Sequence, residues 1–300
     1  MNDITVLANW LLGAATVFVL VGLLANIALL SSQRRINAVA RRKVAVGDGV
    51  QDEKPAPAAA PAGPSGGGLA AYATGFVAIA LVLVTVYLAV RWVKAGHGPF
   101  GNGHEFLVAF AWGILVAYLV AEWRYKLRVV AFAVLPVVAV ALAFSLTRGT
   151  EIEPLNPALQ NPLLMLLHVG SAIISYGAAG VSFGAAVAFL WRPAWLKMDG
   201  DRLDELGYKA ATITFPMLTV MILVGAVWGQ IAWGRFWSWD PKETAALITW
   251  LVYGAYLHAR VSRGWQGKGS AWLLIGGFAL IIFAYLSSYY LHLGGNHSYA

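Results

Sequence analysis

Four tryptophans, Trp228, Trp233, Trp237 and Trp239, fall within twelve residues of the segment VWGQIAWGRFWSWDPKETAALITW. Each indole offers a wide, rigid apolar face with one hydrogen-bond donor at its edge, so a cluster of them suits a large planar ligand with a polar rim. Gly229 and Gly234 remove side chains where a ligand or another stretch of backbone comes close. Arg235 and Lys242 supply cations that could meet carboxylates on such a rim. Asp240, Pro241 and Glu243 occupy the N-cap, first and third positions expected at the start of a helix, so Asp240 reads first as a cap and only second as a ligand contact. An aromatic belt at a membrane interface would also collect tryptophan, but it would scatter the rings over many helix ends.

The histidines divide into two tiers. His168 lies just inside the fifth apolar run, after Pro162, and His297 stands near the end of the chain in GGNHSYA. Two imidazoles on opposite faces of a haem iron would complete a bis-histidine site, leaving the indoles to hold the ring and the cations to meet its propionates. Either histidine could equally be an ordinary polar contact, and His292 competes with His297 for the same role. His258 lies about fourteen residues into the seventh run, roughly 20 Å from its outer end. An ionisable group inside a span is a functional candidate. A helix-end histidine beside Arg260, favoured by the helix dipole, is the plain alternative. His97 and His104 carry no comparable signal.

The elements that position these residues are membrane helices. Hydrophobic residues make up 59% of the 300-residue chain and charged residues 12%, too little charge to coat a soluble body of this size. Eight apolar runs are long enough to cross about 30 Å of hydrocarbon: 8–30, 69–90, 105–121, 129–146, 163–191, 212–231, 244–259 and 271–291. None alternates as a barrel strand does, so the expected class is all-α, a polytopic membrane protein of about eight transmembrane helices. The first run lacks the basic flank and cleavage site of a signal peptide. Most of the 21 basic residues fall in the first, third, fifth and seventh loops, the first alone holding Arg34, Arg35, Arg41, Arg42, Lys43 and Lys54. The positive-inside rule then places both termini, the tryptophan loop, His168 and His297 outside, with His258 toward the cytoplasm. Topology accounts for the net charge of +7, so no nucleic-acid partner is implied.

Three regions are expected: a first helix with its basic cytoplasmic segment over 1–43, a disordered Ala/Pro/Gly-rich linker over 44–68, and a seven-helix membrane domain over 69–300 carrying the loop at 228–243. The stretch 197–211 reads as a solvated interfacial helix rather than a metal site, despite Asp199, Asp201, Asp204 and Glu205. The absence of Cys excludes disulfides, thiolate metal sites, a cysteine nucleophile and covalent c-type haem on this chain.

WGRFWSWDPKE resembles the tryptophan-rich WWD signature of haem-handling proteins. Together with LLHVGSAIISYG around His168, YLHAR around His258 and the terminal HSYA, it resembles the CcsA/ResC family of the System II cytochrome c biogenesis pathway. The likeness is good over 160–300 and rests mainly on hydropathy before that. It implies a protein of the bacterial plasma membrane that binds haem b and presents it outside, as part of a holocytochrome c synthase (haem lyase) complex. His168 and His297 would ligate haem beside the WWD loop. His258 would share a haem within the membrane with a histidine of a ResB/CcsB-type partner. Apocytochrome c would supply the attacking thiols, kept reduced by a thioredoxin-like protein. A haem-delivery protein of another WWD branch, a b-type electron-transfer protein and a haem-free solute transporter are the competing classes.

Overall fold

The computed structural model describes residues 3–47, 67–148, 151–152, 154–192, 199–291 and 293–297. Among them are eight α-helices and no strand: α1 Asp3–Gly47, α2 Gly67–Ala95, α3 Gly103–Tyr125, α4 Ala131–Leu146, α5 Pro162–Trp191, α6 Gly200–Trp233, α7 Pro241–Arg263 and α8 Lys268–Tyr289. Seven are long and apolar enough to cross a membrane. The exception is α7, whose ends carry Lys242, Glu243, Arg260 and Arg263. The chain is thus an all-helical, multi-pass membrane protein.

Two boundaries differ from expectation. The helices α1 and α2 take in 44–47 and 67–68, and the rest of the expected linker, 48–66, lies outside the described residues. The stretch 200–211 is not a separate interfacial helix but the first third of α6. At 1.5 Å per residue α6 is about 51 Å long, well beyond the hydrocarbon thickness. Its carboxylates are used locally. Asp199 caps α6 by accepting the N–H groups of Asp201 and Arg202, Asp204 pairs with Arg260 of α7, and Glu205 pairs with Lys209. Pairing lets a charged stretch continue an apolar helix instead of breaking away from it.

The centre of the bundle is α5, which packs most extensively on α6 and also meets α3, α4 and α8. In lipid, helices gain little from burying apolar surface against one another, so close backbone approach decides the packing. The small residues of α5 permit that approach. A Cβ on Gly177 would sit 2.5 Å from the Gly113 carbonyl oxygen of α3, and one on Gly184 would sit 2.5 Å from Val134 of α4. Toward α6 the contact is polar: the Ser175 hydroxyl donates to the Thr214 carbonyl at 3.0 Å, and the Thr214 hydroxyl donates back to the Ser175 carbonyl at 3.4 Å.

Gly177→Ala is expected to force α3 from α5 and cost about 1–3 kcal/mol of stability. Gly276→Ala on α8, whose added Cβ meets nothing within 4 Å, is expected to leave stability unchanged or raise it. Thermal unfolding of the two variants in the same detergent, followed by circular dichroism, checks the contrast.

Candidate functional site

The starts of α3, α5 and α7 and the ends of α6 and α8 converge at one end of the bundle, and the chain's last described residues fold back over it. His168 is held there between α5 and α6. Its Nδ1–H donates to the Met221 carbonyl at 2.8 Å, which leaves the lone pair on Nε2. Gly225, one turn along α6, makes room for the ring, since a Cβ there would lie 2.8 Å from His168 Cε1. The Trp228 indole meets the same ring edge-to-face, with centroids 5.7 Å apart.

His297 reaches this end through the C-terminal segment. The anchor is Asp240, which is buried in the loop between α6 and α7. Its Oδ1 accepts the Glu243 N–H at 2.8 Å and so caps α7. Its Oδ2 accepts the His297 ring Nδ1–H at 2.5 Å and the His297 backbone N–H at 3.3 Å. The His297 lone pair is therefore also on Nε2. Gly295 is required for this approach: its φ is +106°, and a Cβ would lie 2.6 Å from the Asp240 Cβ. Burial pushes the Asp240 carboxyl up, but the hydrogen bonds from His297 and Glu243 outweigh it and hold the group below its ordinary range. Burial, aided by the nearby Lys242 ammonium, lowers the His297 imidazole against the pull of Asp240, so the ring is neutral near pH 7.

The expected helix start is present with one change of partner. Glu243 reaches back to Ser238, accepting its N–H at 2.7 Å and its hydroxyl at 3.1 Å, and so braces the loop two residues before the cap. Asp240, Glu243 and His297 also lie close enough together to hold a small cation. Both oxygens of Asp240 and one of Glu243 already accept protein hydrogen bonds, so the cluster serves as a cap and a tail anchor.

Two clefts, each enclosing about 450 Å³ of space partly open to solvent, share His168, Gly225, Lys242 and His297. The first is walled by Trp228, Trp233, Phe100 and Phe106, and the second by Trp237, Phe236 and Tyr176. Trp233 meets the His297 ring edge-to-face at 4.9 Å.

The four tryptophans do different work. Trp228 is buried, and its indole N–H is used by the Ala158 carbonyl at 2.9 Å, so it is a fixed wall. Trp233 and Trp237 line the clefts, and the buried Trp237 Nε1–H has no partner among the described residues. Trp239 lines neither cleft and is 69% exposed. Its φ of 60° lies in the left-handed region, which costs a non-glycine residue about 1–2 kcal/mol. That turn sends Asp240 inward while leaving its own ring outside.

The structure also separates the expected cations. Arg235 is exposed and lines neither cleft, whereas Lys242 lines both, its ammonium 5.1 Å from the Phe106 ring and 5.7 Å from the Tyr289 ring. His258 is exposed on α7, seventeen residues past Pro241 and so about 26 Å from the site. His292 lies outside the described residues.

One supporting group left no mark in the sequence. Arg91 and Glu105 form a buried ion pair at 2.7 Å, and Glu105 also accepts the Gly101 N–H at 2.7 Å. His104 bridges the Tyr87 hydroxyl at 2.5 Å and the Ser145 carbonyl at 2.9 Å. These contacts join α2, α3 and α4 and fix the turn that carries Phe100 to the first cleft.

The family described as "Cytochrome C assembly protein" matches residues 100–294. The chain belongs to that family. It is 38% identical over 259 residues to a "Cytochrome c biogenesis protein CcsA" from Synechococcus sp. strain RCC307, covering 74% of this chain and 83% of the relative. Relatives of the same name from Picosynechococcus sp. strain PCC 7002 and Synechocystis sp. strain PCC 6803 are 35% and 34% identical. They cover 77% and 76% of this chain, and 88% and 87% of themselves. The family match takes in His168, the tryptophan loop and His258, and stops three residues before His297. The resemblance read from the motifs is thereby borne out for the family, with haem implied by the cytochrome c it assembles.

Asp240→Ala is expected to cost about 1 kcal/mol through loss of the cap and to release the C-terminal segment. Hydrogen exchange at 293–297 should then rise well above wild type while α5 stays protected.

Proposed function

We propose that this protein binds haem b between His168 and His297, presents it on the outer face of a bacterial plasma membrane and supports its covalent attachment to apocytochrome c. The single observation that carries this reading is the pair of imidazoles sharing two clefts. Each has its Nδ1–H committed to an oxygen acceptor, which directs an Nε2 lone pair to a metal. The surroundings fit haem: indole walls at Trp228, Trp233 and Trp237, an unused indole donor at Trp237, and the Lys242 ammonium for a propionate. Lys242 suits that role better than Arg235 or Trp239, which stand outside the clefts.

The residues hold and orient the haem rather than transform it. When bound, haem would supply two vinyl groups, across which the apocytochrome thiols would add. Asp240 is a positioning residue that sets the His297 tautomer. The missing Cys fits a carrier that keeps its cargo by axial ligation and can let it go. The exposed ring of His258 suits a second haem shared with a ResB/CcsB-type subunit, and a thioredoxin-like reductant would keep the substrate thiols ready. On this reading the chain acts as part of a holocytochrome c synthase.

Purified with its partner subunit, the protein is expected to show a Soret band. His168→Ala and His297→Ala should each weaken it, and added imidazole should partly restore it. No band with or without the partner overturns the haem reading. Asp240→Asn keeps the cap but donates an amide N–H to His297 Nδ1, moving the ring proton to Nε2. Haem affinity should fall by about 10–100-fold without loss of fold.

A further inference from the structure

Away from the tryptophan end, α3, α5 and α6 leave a groove. Gly113 and Gly177 bring α3 against α5, and the Ser175–Thr214 hydrogen bonds bring α6 against α5. With both neighbours drawn to it, α5 forms the floor, and α3 and α6 form the walls. The groove encloses about 960 Å³, partly open, and its lining is apolar along Trp112, Val120, Ile173 and Ile213. At one end the lining changes to Arg124, Tyr125 and Lys209.

We propose that this groove holds one acyl chain of an anionic glycerophospholipid, with its phosphate seated between Arg124 and Lys209. Length supports this occupant. Trp112 to Arg124 spans twelve residues of α3, about 18 Å. One leaflet contributes about 15 Å of the hydrocarbon core, so the groove runs from the headgroup level to just past the midplane.

Charge selects the headgroup. The Arg124 guanidinium lies 5.6 Å from the centre of the Tyr125 ring, and the Lys209 ammonium lies 5.4 Å from the same ring, so both cations border one small patch. Arg202 joins them, donating to the Tyr125 carbonyl at 3.1 Å. Arg124 is exposed and forms no ion pair with another described residue, while Lys209 pairs with Glu205 in a half-exposed contact at 3.2 Å. Such a contact holds a cation weakly. A phosphodiester offers Arg124 the paired oxygens its planar fork accepts best. A choline headgroup would bring its own cation into an already positive patch. The groove uses the same three helices as the haem clefts but shares no lining residue with them, and it does not depend on haem binding.

Native mass spectrometry of the full chain in mild detergent, with added palmitoyl-oleoyl phosphatidylglycerol or phosphatidylcholine, tests the assignment. One phosphatidylglycerol should be retained at concentrations that leave phosphatidylcholine unbound. The double variant Arg124→Gln/Lys209→Gln, exposed at both positions, should lower retention by about thirty-fold. Ile213→Trp, which fills the groove from its 50% exposed wall, should abolish it without loss of helix content. Equal retention of the two lipids overturns the proposal, as does retention unchanged by Ile213→Trp. Displacement by millimolar inorganic phosphate would assign the cations to free phosphate instead. Loss of the Soret band on Ile213→Trp, with lipid retention unaltered, would assign the groove to haem.

Discussion

The tryptophan end of this molecule depends on one carboxylate. Asp240 ends a loop, starts α7 and holds the C-terminal segment, using one oxygen for the Glu243 N–H and the other for His297. Burying a carboxylate is costly unless every lone pair facing the protein is used. Here the use is divided between a local partner three residues away and a distant one fifty-seven residues away. The shape of the loop and the position of the tail are thus not independent. The left-handed turn at Trp239 is tolerated because it delivers this group inward.

The two halves of the site are held by different physics. His168 sits on α5, where small residues and reciprocal Ser–Thr hydrogen bonds bring backbones close, and its ring fits a space left by Gly225. Its position is set by packing against rigid helices, which are not continuously deformable. His297 sits on a short irregular segment. Among the contacts that hold it are two hydrogen bonds to Asp240 and an edge-to-face contact with Trp233.

What could be read in the sequence follows the range of each interaction. The eight helices are visible because apolar runs are a local property, and the start of α7 is visible because Asp240, Pro241 and Glu243 are neighbours. The length of α6 was hidden: the acidic stretch before residue 212 looks solvated until Arg260 of α7 is seen beside Asp204. The tryptophans announce a site by their density, yet their separate roles depend on partners such as the Ala158 carbonyl, seventy residues from Trp228. Gly225 is one of 32 glycines, and only the His168 ring against it gives it meaning. Arg91, Glu105 and His104 pass as span-end charges because their pairing across α2, α3 and α4 has no linear signature.

A ligand borne on a helix cannot leave without the bundle reorganising, whereas one borne on a tail can. His297 is anchored by the Asp240 carboxylate on a segment that turns at Gly295, so on the proposed haem reading its axial bond could be broken and remade by movement of a few residues. On the proposed haem reading, the two histidines would grip the ring from supports of unequal stiffness: one face would stay registered to the membrane helices, and the opposite face could be uncovered. Directional hand-over needs that asymmetry. The order in which contacts would be surrendered then follows from the chain's connectivity, with no moving helix required.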